Sequence, residues 1–189
     1  MSLMLAGAIV FAALLAVLTI STYNRLVRLR NGTENSFGAL DAQLKNRFDL
    51  VPNVVAAVGS YMKHERTLLE SLTSLRAQAL AARATPEQRV ELDGQVSQAL
   101  RQLMVAVEAY PDLKASQQFD HLQRTLVEVE SQIAAARRAY NAAVTELNNG
   151  VQAFPASLVA GILSFHRKPV LETPDAERGR VDVAALLSR

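Results

Sequence analysis

The chain has no cysteine and no tryptophan. Without cysteine there are no disulfides, thiolate metal ligands or thiol nucleophiles, and the redox compartment is left open. Aromatic residues make up only 5% of the sequence. That argues against a β-sheet protein, whose strands favour aromatic and β-branched side chains. An excess of one charge is also missing: 20 basic residues stand against 18 acidic ones, a net charge of +2. The basic residues are spread along the chain, so no nucleic-acid partner is expected. The 8 glycines form no phosphate-cradling loop; Gly32 and Gly38 are isolated on a helical stripe. The three histidines are scattered, and no Glu-x-x-His occurs, although a di-metal carboxylate bundle needs that pattern on two helices. His64 and Glu65 are adjacent and would point about 100° apart on a helix. His121 lies off the neighbouring apolar seam, and His166 falls in the tail. No metal and no cofactor are expected, and no local motif suggests a Ser/His/Asp set.

What is present is apolar and periodic. Leu3 to Ile20 contains no charged residue. At about 1.5 Å per residue this run spans about 27 Å, close to the ~30 Å hydrocarbon core of a bilayer. Ser21, Thr22, Tyr23 and Asn24 can extend it through the interface. A cleaved signal peptide would want a basic n-region and small residues at the exit. Only Met1 and Ser2 precede the run, and the exit reads Thr19-Ile20-Ser21-Thr22. A retained single-pass anchor is therefore expected, with the lipid bilayer as its first partner. Arg25, Arg28 and Arg30 follow the run directly. Under the positive-inside rule they place the N-terminus outside and the rest of the chain in the cytoplasm. Ala8, Ala12 and Ala16 repeat every four residues along one face of the span. Small residues at that spacing let two helices approach closely in lipid, so self-association is expected. The competing reading is that alanine is simply abundant here.

The remainder reads as long helices. Phe119, Leu122, Leu126, Val129, Ile133, Ala136, Tyr140, Val144, Leu147, Val151 and Phe154 follow one another at steps of three or four. This is a heptad-like seam with one extra four-residue step. Ser116 is its expected N-cap and Pro155 its stop, with Gly150 an earlier candidate stop that the seam overrides. A second stripe passes through Val54, Val58, Tyr61, Leu68, Leu72, Leu75 and Ala79, with Pro52 in its first turn and Glu65 in its one polar gap. A third helix starts at Thr85-Pro86-Glu87-Gln88, a capping box. It continues through Leu92, Val96, Ala99, Leu103, Ala106 and Tyr110. Leu26, Leu29, Thr33, Phe37, Leu40, Leu44, Phe48 and Val51 share the same spacing, which predicts one helix from the membrane to about Asp49. Four long helices with short connections imply an all-α, antiparallel up-down bundle standing off the membrane.

Several blocks in order now resemble the LemA family. They are Tyr23-Asn24-Arg25-Leu26-Val27-Arg28-Leu29-Arg30-Asn31, the run Leu40 to Asn53, Tyr61-Met62-Lys63-His64-Glu65, Ala136 to Asn141, and Phe154-Pro155-Ala156-Ser157-Leu158-Val159-Ala160-Gly161. The likeness covers about residues 23–171. It departs from the family pattern at Phe37-Gly38 and at Val170-Leu171. The resemblance implies an N-terminal anchor, a helical bundle and placement in a bacterial inner membrane. It carries over no catalytic residue. The expected organisation is an anchor over 1–22, a LemA-like bundle over 23–165 and a mobile tail over 166–189.

The densest polar stretch beside an expected turn is Asp41, Gln43, Lys45, Arg47, Asp49 and Asn53. It reads as a candidate surface for a protein partner whose identity the sequence does not give. It also reads as plain helix chemistry, with Asp41 and Lys45, and Lys45 and Asp49, as i,i+4 pairs and Asp49 capping the next helix. Glu65 is either a proton-sensitive buried group or a paired seam edge. The Arg137-Arg138 pair either grips lipid phosphates or acidic partners, or lies on a solvated face. The function expected is a non-enzymatic, membrane-anchored scaffold or adaptor. The alternatives are a membrane-shaping or lipid-binding protein, or an enzyme whose site is assembled only in space.

Overall fold

A computed structural model of the chain describes residues 2–81 and 85–171. The described residues form helices and connections, with no strand among them. The helices are α1 (Ser2–Gly59), α2 (Arg66–Ala79), α3 (Pro86–Val107), the short α4 (Pro111–Lys114), α5 (Gln117–Gln152) and α6 (Ala156–Ile162). The all-α architecture is the one the periodicity predicts.

α1 is a single helix of 58 residues, about 87 Å long at 1.5 Å per residue. Its first part is long and apolar enough to cross a membrane, and none of that window is buried in the protein. Leu3, Ile9, Phe11 and Val17 are all exposed. From Leu26 onward the stripe turns inward: Leu26, Thr33, Leu40, Leu44, Phe48 and Val51 are buried. The Thr33 hydroxyl donates to the Leu29 carbonyl and lies 3.3 Å from the Ala143 carbonyl of α5.

The sequence predicts a helix break near Asp49, with Pro52 opening the next helix. Instead α1 continues through Pro52 to Gly59. Proline removes the N–H that would bond the carbonyl four residues back, here that of Phe48. Arg76 of α2 supplies the replacement, its Nε donating to the Phe48 carbonyl at 3.1 Å. Asp49 is therefore a mid-helix residue and not a cap. The apolar stripe from Val54 to Ala79 bridges two helices, with Val54 and Val58 in α1, buried Met62 in the connection, and Leu69, Leu72 and Ala79 in α2. Glu65 precedes α2 without capping it, and its carboxylate accepts the Tyr110 hydroxyl at 2.7 Å. That hydrogen bond pushes the Tyr110 pKa above its ordinary value.

The other helix starts follow the local chemistry. Thr85 accepts from the Gln88 N–H and Gln88 accepts from the Thr85 N–H, which completes the capping box. Ser116 accepts from the Phe119 N–H. The α5 seam packs as expected at Phe119, Leu122, Val129, Ile133, Val144 and Leu147, with its first four members in one continuous core shared with α1 and α3. Its expected last member fails: α5 ends at Gln152, and Phe154 is 81% exposed. Gly150 does not stop the helix but is buried within it. A Cβ there would lie 2.6 Å from Leu29 Cδ1, so glycine lets α5 approach α1 closely. A second, smaller cluster, Leu26, Ala160 and Phe165, joins α6 to α1.

Residues 166–171, expected to start the tail, run along α5. The Asn148 side chain pairs with the backbone N–H and C=O of Lys168, and Asn141 does the same for Leu171. Residues 172–189 of the expected tail lie outside the described residues.

Candidate functional site: a buried ion network beneath an open groove

The polar cluster of α1 does not form one patch, because successive members turn around the helix. Asp41 faces α3 and takes two hydrogen bonds from Arg89, at 2.9 and 2.7 Å, and not the expected pair with Lys45. Lys45 bonds Asp49 on the exposed side, with Arg76 3.9 Å from Asp49. Gln43 accepts from Asn46, and Asn53 is exposed. Arg47 points the other way, into the core, and is only 2% exposed.

Arg47 is the centre of the arrangement. Its Nη1 donates to Asp93 Oδ1 at 2.6 Å and to the Ser97 hydroxyl, and its Nη2 donates to Glu130. Asp93, 1% exposed, is also 3.5 Å from Arg137 Nη2. One guanidinium thus ties α1 to both α3 and α5, using the planar fork of donors that lysine lacks. Burial, reinforced by the nearby Glu130 charge, pushes the Asp93 carboxyl above its ordinary pKa, while Arg47 and Arg137 pull it down. The arrangement suits orientation and not chemistry. Asp93 is closed to solvent, and each of its oxygens is held by an arginine. No group of three metal-ligating side chains occurs among the described residues.

Sequence reasoning placed Arg47 on a surface, offered Arg137 as a grip for lipid phosphates or acidic partners or as a solvated face, and did not single out Asp93. A signal was available. Arg47 stands three residues after Leu44 and four before Val51, Asp93 three before Val96, and Arg137 four after Ile133. All three are charges flanking the seams, one or two turns from core residues, and such charges must be paired to be buried.

A groove of about 310 Å³ opens between α3 and α5, lined by Leu100, Met104, Leu126 and Val127, with Arg47 and Glu130 at its base. Val127 is 64% exposed at its rim. Ala8, Ala12 and Ala16 lie far from this site on the free apolar part of α1, and Arg25, Arg28 and Arg30 are exposed just beyond it.

A free apolar helix running unbroken into a bundle locked by a buried ion network defines a class: a membrane-associated helical protein. Comparison with known proteins agrees, and the chain belongs to the LemA family, whose model matches residues 36–184. It is similar to Protein LemA of Metamycoplasma hominis, 26% identical over 163 residues, covering 86% of this chain and 74% of that protein. It is also similar to Magnetosome protein MamQ 2 of Paramagnetospirillum magneticum, 36% identical over 88 residues, and to Magnetosome protein MamQ of Magnetospirillum gryphiswaldense, 33% identical over 88 residues. In both cases 43% of this chain matches 32% of the MamQ protein. The match therefore spans about a third of the MamQ length.

Proposed function

We propose that this protein is a non-enzymatic scaffold, anchored in the bacterial cell membrane, that holds a protein-docking groove at a fixed place on the cytoplasmic face. The observation that carries the reading is the continuity of α1. The helix that is apolar enough to cross the membrane also supplies Arg47, Phe48 and Val51 to the bundle core. A stiff helix sets the distance of the bundle from the membrane, which a flexible linker would not. Arg25, Arg28 and Arg30 support the cytoplasmic orientation. The groove between α3 and α5 has apolar walls over a charged base, a combination that accepts an amphipathic helix from a partner.

A photo-crosslinking residue at Val127, in cells, tests the reading. Discrete adducts with cytoplasmic proteins are expected, and Leu126→Asp should remove them. Adducts with proteins from outside the cytoplasm would reverse the orientation. The absence of any protein adduct would remove the docking role.

We also propose self-association through the span, with closed cyclic symmetry as its default form. The Ala8, Ala12 and Ala16 face supports it. The wild-type chain should be oligomeric in nanodiscs, and replacing all three alanines with leucine should shift it toward monomer. A monomeric wild type ends the idea. An unchanged triple variant moves the contact into the bundle.

A further inference from the structure

The end of the bundle next to the span carries an apolar surface with no cover among the described residues. Phe154 and Ile162 are each 81% exposed, Leu158 is 62% exposed and Leu163 46%. α6 is built the wrong way round for a helix in water: its small residues Ala156 and Ala160 are buried with half-buried Val159, while Leu158 and Ile162 face out. A surface helix ordinarily turns its large apolar side chains to the core. The outer face of α6 is therefore left for another apolar phase.

The position of α6 says which phase. Ala160 and Phe165 pack on Leu26 of α1. The Phe165 ring stands edge-on to Tyr23 at 6.0 Å, and the Arg30 guanidinium lies 5.6 Å from its centre. This segment is thus level with residues 23–30 of α1. Tyr23 follows Ile20, the end of the uncharged run, by about 5 Å and Arg30 by about 15 Å. The headgroup zone on each side of a bilayer is about 5–8 Å deep, and interfacial helices bury their apolar face about 5–10 Å into that boundary. Charge points the same way. Residues 1–33 and 147–171 contain no Asp or Glu, whereas Arg25, Arg28, Arg30, Arg167 and Lys168 fall within them.

We propose that Phe154, Leu158, Ile162 and Leu163 seat the bundle in the headgroup–acyl boundary of the bilayer that α1 crosses, with Arg25, Arg28 and Arg167 against anionic lipid phosphates. The inference rests on the reading of α1 as a membrane span. A single helix fixes the distance of a domain from the membrane but leaves it free to tilt and to turn about the helix axis. A second contact beside the helix removes that freedom and gives the α3–α5 groove one orientation.

The absence of cysteine makes the test direct. Single-cysteine variants of the full chain, Val10→Cys, Val105→Cys, Leu158→Cys and Ile162→Cys, each change an exposed residue. Each is labelled with an environment-sensitive fluorophore and reconstituted in vesicles of phosphatidylcholine and phosphatidylglycerol. Some of the lipids carry a quencher at the headgroup boundary or in the acyl region. The expected result is loss of emission at 158 and 162 with the boundary quencher, loss at 10 with the acyl quencher, and no loss at 105. Quenching at 10 with positions 158 and 162 behaving like 105 overturns the seat and leaves the span intact. Labels at 158 and 162 that are shielded from water but untouched by either quencher assign the face to a protein partner and also overturn the seat. Escape of position 10 from both quenchers overturns the span and the seat with it.

Discussion

Asp93→Asn should destabilise the bundle by about 3–5 kcal/mol, the range for breaking a buried ion pair by removing one partner. The size comes from what is left behind. Arg47 is 2% exposed and Arg137 7%, so neither guanidinium can recover its hydration when the carboxylate is lost. Arg47 keeps the Ser97 hydroxyl and half-exposed Glu130, but it loses its one fully buried counter-charge. Asp41→Asn is the control. Its pair with Arg89 leaves both side chains about a third exposed, so its loss should cost about 1 kcal/mol or less. Arg47→Met with Asp93→Asn should cost less than the sum of the single changes, because each single change strands a charge that the double change removes. Urea unfolding of a fragment starting at Tyr23, followed by helical circular dichroism, measures all of these. The fragment is suitable because residues 2–21 bury nothing in the bundle. An Asp93→Asn cost below about 1 kcal/mol would show that Glu130 and Ser97 suffice, and that the network does not lock the three helices.

Which features were legible in the sequence follows from the range of the forces involved. The two capped starts, at Thr85 and Ser116, depend on groups three residues apart, so they were readable in full. The seams of α3, α5 and the first part of α1 were readable because burial imprints a period on the chain. Pro52 misled because its local rule is sound. It forbids one hydrogen bond, and the compensation comes from Arg76, 24 positions along the chain. No local pattern announces such a rescue. Phe154 misled in the opposite way: it continues the spacing of the seam, but the helix ends two residues earlier. The ion network was half legible. Charges flanking the seams at 47, 93 and 137 marked burial with partners, but the pairing across α1, α3 and α5 is tertiary and emerges only once the helices are placed. The outward face of α6 was not legible, since a short apolar helix reads the same whether it is covered by protein or by lipid.

Ile133→Ala should cost about 2–5 kcal/mol, the range for truncating a well-buried aliphatic side chain to alanine. Ile133 is 1% exposed and sits in the continuous core. One turn away along α5 are two other buried residues, Val129, four residues before, and Arg137, four after. Ile133 therefore sits in the apolar core one helical turn from a buried charge, a neighbour that resists shifting into a cavity. That places the expected cost in the upper part of the range. Ile133→Val removes one methyl group and should cost about 0.5–1.5 kcal/mol. Val127→Ala, on the same helix but 64% exposed, should stay within about 0.5 kcal/mol of the parent, as surface substitutions do. A seam facing the core requires the costs to fall in the order Ile133→Ala, Ile133→Val, Val127→Ala. If Ile133→Ala and Val127→Ala came out equal, α5 would be rotated about its axis relative to α1. The Arg47–Glu130 contact would then be lost with it, because Glu130 and Ile133 are three residues apart and move together.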